Sequence, residues 1–285
     1  MIAVALFLSL LVPVLQGAYV PQRVFDTRLK NFSDFETMLA DLARADAVFV
    51  GEQHDDPNTH RLELAIVEGL TRRRTPVVVA MEMFERDVQE NLDKYAAGTI
   101  TEEQFLKDSR PWPRYATDYR PIVEFARVNK LPIVASNVPR RIASAVGKTG
   151  LAAVEQLGAD RRLAARELQC PVSGSYFDRF AAAMGNHAGS SPNFYFAQCV
   201  KDETMGESVA ETFHKSPGRL TIVHFDGAFH SDFAEGTAES ARRRMPGRRI
   251  AVVSILPVAD LDSVRPAETD LKRADYLLYT IGKKP

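Results

Sequence analysis

The stretch Ala47-Val48-Phe49-Val50-Gly51-Glu52-Gln53-His54-Asp55-Asp56-Pro57 decides the fold. Ala47–Val50 is a short apolar run ended by a glycine, the pattern of a buried strand. Asp56 followed by Pro57 marks a helix start, because Asp accepts from the first free N–H groups and Pro lacks the N–H that would be unpaired anyway. The helical pattern then runs to about Arg73. A strand, a polar turn and a helix make half of a βαβ unit.

Outward from this stretch the alternation repeats. Strands are expected at Pro76–Met81, Leu131–Ala135, Leu220–Phe225, Ile250–Leu256 and Tyr276–Ile281. Helices are expected over Asp34–Arg44 behind a Ser33 cap, Arg86–Ala97, Thr101–Ser109, Tyr119–Lys130 and Pro139–Gly147. This order predicts an α/β fold, a mainly parallel sheet with helices on both faces. Leu151–Ser216 reads as helical throughout. It is expected as an all-helical insertion between the third and fourth strands, within one domain over 23–285.

Composition narrows the function. The 285 residues are 45% hydrophobic, which excludes a disordered chain. Lys and Arg number 36 against 37 Asp and Glu, so there is no basic excess for nucleic acid. No charged side chain precedes Arg23, and Met1–Val20 is nearly all apolar but broken by Pro13. Its unbroken apolar part is shorter than the roughly 20 residues of a spanning helix. Residues 1–18 therefore read as a signal peptide with small residues Gly17 and Ala18 at its end. The expected location is periplasmic or secreted, with no transmembrane segment in the mature chain. Leu15-Gln16-Gly17 opens like a bacterial lipobox, but Ala18 stands where the lipidated cysteine belongs, so a lipid anchor is not supported. In an oxidising compartment Cys170 and Cys199 can pair; the alternative is two unrelated buried thiols.

Open α/β sheets bind ligands beyond the carboxyl ends of their strands. There the sequence places Glu52 and His54, then Glu82, then Asn137 and Arg140, then His230. Two of these turns read Gly-x-x-His, Gly51 to His54 and Gly227 to His230. The glycine is expected to give a tight turn and the histidine to point back over the edge. His54, His230 and Glu52 are the donor types of a divalent metal site. His60, on the first turn of the next helix, is a weaker candidate. His224 alternates with apolar neighbours inside a strand and reads as core, and His214 ends a helix, where a cation suits the dipole.

The stretches Val50–Pro57, Val79–Phe84, Arg120–Arg127, Ala135–Arg140, Ala197-Gln198 with Asp202–Met205, and Gly227–His230 together resemble the ChaN-like haem-binding uptake family of the Tiki/TraB superfamily. The resemblance implies an exported bacterial protein of haem and iron uptake, with haem as cofactor. It also implies kinship with metal-dependent hydrolases. The alternative reading is therefore a Tiki-like peptidase or esterase with a divalent metal, in which Glu52 or Glu82 acts as base and Arg140 stabilises developing negative charge. The expected partners are haem or another small molecule, a second copy in a homodimer, and no nucleic acid.

Haem needs an apolar slot and an axial ligand, and the family implies a tyrosine. The insertion holds Tyr176, Phe177, Phe180, Met184, His187, Phe194, Tyr195, Phe196 and Met205. Tyr195 and Tyr176 are the candidate ligands, with His187 as a propionate or axial partner. The bland reading is a helical core packed with Phe and Met.

Overall fold

A computed structural model describes residues 20–73, 76–185, 192–216, 218 and 220–282. Eight strands form one sheet: β1 Gln22–Asp26, β2 Asn31–Ser33, β3 Ala47–Glu52, β4 Val77–Glu85, β5 Ile133–Asn137, β6 Thr221–Gly227, β7 Ile250–Val258 and β8 Tyr276–Ile281. Their order is β2-β1-β8-β7-β3-β6-β4-β5. All pairings from β8 to β5 are parallel, and β1 closes against β8 and β2 in antiparallel fashion. The expected mainly parallel α/β sheet is present, and the antiparallel edge is an addition to it. Arg23-Val24-Phe25 is too short a run to announce a strand; it becomes one by pairing with the preformed edge of β8. Because Ser33 is taken up in β2, Asp34 rather than Ser33 caps the helix Phe35–Leu42, accepting from the Thr37 N–H.

Both faces of the sheet are covered. Val48, Val50, Val79 and Met81 point to one face, against the helices Phe35–Leu42, Pro57–Arg72 and Arg120–Val128. Ala47, Phe49, Val78 and Ala80 point to the other, against Asn193–Lys215 and Gly236–Arg244. The alternation follows from the two-residue period of a strand, and continuous apolar runs satisfy both faces. The helix Pro57–Arg72 starts as expected, with Asp56 accepting from the N–H groups of Asn58 and Thr59.

Among the described residues, the segment between β5 and β6 is helical over Arg140–Thr149, Ala152–Glu155, Ser175–Met184 and Asn193–Lys215, with a 3-10 turn over Gly158–Leu163. Residues 164–174 are irregular, which corrects the expectation of helix throughout. This stretch is held from outside instead. The Arg166 N–H donates to Glu207, and Cys170 is joined to Cys199 on the long helix. Gly174 (φ 96°) then turns the chain into the next helix.

At the amino edge of the sheet, opposite the polar strand ends, Asp41 collects charge. Its carboxylate accepts from Arg28 (2.9 Å), Arg249 (2.7 Å), Arg44 (2.5 Å) and the Tyr276 hydroxyl (2.9 Å). Burial works to raise this carboxyl, but the Arg249, Arg44, Tyr276 and Arg28 hydrogen bonds outweigh it and hold the group well below the usual carboxylate range. A depressed folded-state pKa contributes stability that is present above the unfolded value near 3.8 and lost as pH falls. Asp41→Asn should therefore cost about 1–2 kcal/mol at neutral pH and flatten the acid limb below about pH 4, read by urea unfolding across pH. An unchanged acid limb would place the acid sensitivity elsewhere.

Candidate functional site

Chain order determines what meets at the carboxyl edge. β6 enters between β3 and β4, so Gly227 at its end lies between the Glu52 and Glu82 strand ends. The Gly227 N–H donates to Glu82 Oε2 (2.8 Å). A Cβ on Gly227 would stand 2.7 Å from His54 Nε2, and one on Gly51 would stand 2.9 Å from the Ala228 Cα. Neither glycine has a positive φ. Their role is close approach of backbone and imidazole, not the tight turn expected of them.

A chain of polar groups runs from there into the insertion. Glu82 Oε1 is 3.3 Å from His230 Nε2, and His230 Nδ1 is 2.6 Å from Asp202 Oδ1. Asp202 also accepts from the Thr237 hydroxyl (2.8 Å) and the Tyr176 hydroxyl (2.5 Å). The Asn137 side-chain amide donates to the Glu82 carbonyl (3.0 Å) and fixes that strand end. Thus His54 and His230 share one edge, with Glu82 between them.

Glu52 is buried on the other flank. Its Oε1 contacts His54 Nδ1 and accepts from the Tyr119 hydroxyl (2.9 Å), and its Oε2 is 3.4 Å from His60 Nδ1. His60 Nδ1 is also 3.0 Å from Glu63 Oε2. Among the described residues, Glu52, His60 and Glu63 are the group of metal-type donors that converges. The expected trio of His54, His230 and Glu52 does not, because Glu82 and Asp202 engage His230 instead. Glu63 was missed in the sequence. Its signal is the spacing His60-x-x-Glu63, which puts both side chains on one helix face.

The electrostatics are those of paired charges. Burial works to raise Glu52, but hydrogen bonds from His54 and His60 outweigh it and hold the carboxyl at about 2. Burial likewise opposes ionisation of Glu82, and the His230 and His54 charges overcome it, leaving the carboxyl far below its usual range. A general base works best with a pKa near the working pH. Glu52 and Glu82 are each engaged by histidines, and beyond this local acidic and histidine cluster nothing supports the hydrolase reading. Arg140 is exposed and lines a surface pocket of about 620 Å³ with Trp112 and Arg110, without a hydrogen bond to either carboxylate. Its neighbour Arg141 pairs with Asp87 and Asp160. His224 is core, as expected. It bridges Ser136 Oγ (2.9 Å) and Asp226 Oδ2 (3.0 Å), and all three residues are sealed from solvent.

The insertion builds an aromatic surface. Tyr176, Phe177, Phe180 and Phe196 surround Tyr195 with ring centroids 4.9–6.3 Å away. No residue of Ser175–Met184 is fully buried, and Phe194 is 47% exposed. The Arg179 guanidinium lies over Tyr176, Phe229 and Phe233. Beside this cluster is a cavity of about 440 Å³, lined by Tyr176, Tyr195, Asp202, Glu203, Arg242 and Arg243 among others. The two tyrosines differ. The Tyr176 hydroxyl donates to Asp202, and burial and that carboxylate push it well above 10. Tyr195 makes no hydrogen bond through its hydroxyl among the described residues, and burial, with Asp202 behind it, pushes it up to about 12. His187 lies outside the described residues, as does the signal segment 1–18.

Fold and site together define an α/β protein whose ionisable groups gather at strand ends and whose aromatic surface lies in a helical insertion. The family model described as haem-binding uptake, Tiki superfamily, ChaN matches residues 38–240. The chain belongs to that family, as its motif spacing led us to expect. A solved structure described as cofacial haem binding to ChaN of Campylobacter jejuni is 20% identical and superposes with a TM-score of 0.66, over 92% of this chain and 97% of that one. A succinoglycan biosynthesis protein is 11% identical with a TM-score of 0.50, over 86% of this chain and 90% of that one. At these identities the likeness is one of fold. Protein RETICULATA-RELATED 5, chloroplastic, of Arabidopsis thaliana is 24% identical over 266 residues. This chain spans about a third of the length of that relative (35%). Among the described residues no helix is long and apolar enough to cross a membrane.

Proposed function

We propose that this chain is an exported haem-binding protein serving haem and iron uptake, with haem as its cargo. The observation that carries the reading is the Tyr195 hydroxyl on the wall of the insertion cavity, which makes no hydrogen bond among the described residues. Phe177, Phe180 and Phe196 pack around Tyr195 behind that wall and Phe233 lines the cavity itself, while Arg242 and Arg243 at its rim are paired with Glu239 and Glu203, pairs that propionates would have to displace. A cavity of about 440 Å³ falls within the usual range for small-ligand sites. Tyr195 is the axial ligand in this reading, because Tyr176 is engaged by Asp202. Bound haem would supply a ferric centre for one protein ligand. Family membership and the ChaN neighbour point the same way. The Cys170–Cys199 pair supports export, since such bonds persist in oxidising compartments.

Haemin added to the purified chain should give a saturable Soret shift with a high-spin ferric spectrum. Tyr195→Phe should weaken binding at least tenfold, about 1.4 kcal/mol or more. Tyr176→Phe should change it much less. Absence of saturable binding, or binding indifferent to Tyr195→Phe, would overturn the assignment.

A further inference from the structure

The haem reading leaves the buried Glu52–His60–Glu63 group without a task. We propose that these three side chains bind a divalent first-row transition ion, of which Zn²⁺ is the probe, and so clamp the end of β3 to the helix Pro57–Arg72.

The spacing of the donors is the first ground. Bonds of about 2.0–2.2 Å place neighbouring donors roughly 3.0 Å apart in an octahedron and roughly 3.4 Å apart in a tetrahedron. The His60 Nδ1 to Glu63 Oε2 and Glu52 Oε2 separations are 3.0 and 3.4 Å.

The imidazole's orientation is the second. His60 Nε2 lies 3.2 Å from the His54 carbonyl and 3.5 Å from Asp118 Oδ2. A proton on Nε2 is accepted there, which leaves Nδ1 facing two carboxylates with either a second proton or a metal ion between them. Metal-bound histidines are oriented by this same backbone contact from their far nitrogen.

Unmet valence is the third and independent ground. Glu63 is fully buried, yet its Oε1 has no hydrogen-bond partner, and neither does Glu52 Oε2. A buried polar atom without a partner is costly. Two carboxylates, a neutral imidazole and a divalent ion sum to zero charge, the condition for burial. Supporting contacts are in place: Tyr119 and Arg114 hold Glu52 and Asp118, at 2.9 and 2.7 Å. A surface pocket of about 520 Å³ lined by Pro57, His60, Arg114 and Asp118 gives access to the imidazole. One nitrogen and two carboxylates suit zinc, manganese or ferrous iron, and offer too few oxygens for calcium.

The test is metal stoichiometry on the full chain, stripped with a chelator and dialysed against buffered Zn²⁺. One ion per chain is expected, with a rise in thermal midpoint. Glu63→Gln and His60→Gln should each weaken uptake by a hundredfold or more, whereas Glu82→Gln keeps it. The Co²⁺-loaded wild type should show a nitrogen and oxygen shell in X-ray absorption, a readout that needs no variant to fold. No stoichiometric uptake by the wild type would mean that shared protons hold the group together and would overturn the proposal. So would uptake lost in Glu82→Gln and retained in Glu63→Gln. Haemin titration of Glu63→Gln should be unchanged, which separates failure here from failure of the haem reading.

Discussion

Glu82→Ala should lower the unfolding free energy by about 3–5 kcal/mol, the usual result of removing one partner of a buried ion pair. The Glu82 carboxylate is fully enclosed, accepts from the Gly227 N–H and faces His230. Without it the His230 charge keeps Asp202 alone, and the Gly227 N–H is left in a dry strand end with no acceptor. Glu82→Gln should cost only about 1–3 kcal/mol, because an amide oxygen still accepts from Gly227. The pH signature is two-sided. Glu82 is depressed in the fold, so its contribution is present above its ordinary value of 4.5 and lost as pH falls. Burial works to lower His230, but the Glu82 and Asp202 charges outweigh it and raise the imidazole well above 6.5. Its contribution is full below 6.5 and fades as pH rises through the raised value. Urea unfolding of the wild type and Glu82→Ala at several pH values measures both. A loss below about 1 kcal/mol would mean that the pair is hydrated.

Gly206→Val should cost about 3 kcal/mol or more, through overpacking against backbone that has no room to yield. Gly206 sits where the helix Asn193–Lys215 crosses Gly236–Arg244. A Cβ there would lie 2.5 Å from the Ser240 Cβ and 2.8 Å from the Ala241 N. To admit a side chain the two helices must part. Their separation would draw Asp202 from Thr237, and with it the acceptor that orients His230 and Tyr176. In a chain of this size the thermal midpoint should fall by roughly 6–12 °C. A shift within about 2 °C would show that the helices do not touch here.

The α/β class was legible because it is written in local periods. Ala47–Val50 followed by Asp56-Pro57 declares strand, turn and helix within a dozen residues, and the repeats of that pattern declare the sheet. The paired Gly-x-x-His turns were legible for the same reason. Other features have no local signal. β1 and β2 exist because β8 offers an edge to pair with, and residues 164–174 stay irregular because Glu207 and Cys199 hold them from outside.

The site divides along the same line. The sequence alone determined that Glu52, His54, Glu82 and His230 all stand at carboxyl ends of strands, because each follows directly on an apolar run. Only the tertiary structure decided which of them meet. β6 returns between β3 and β4, so Glu82 comes to lie between two histidines expected to share a metal, and Glu52 keeps its contact with His54 but reaches His60 and Glu63 rather than His230. Strand order is set by pairing between residues more than a hundred positions apart, such as Val48 with Val223, and no local period encodes it. The tyrosines followed the same rule. Composition put Tyr176 and Tyr195 in one aromatic segment, but only packing gave Asp202 to Tyr176 and left the Tyr195 hydroxyl at the cavity wall without a hydrogen bond among the described residues.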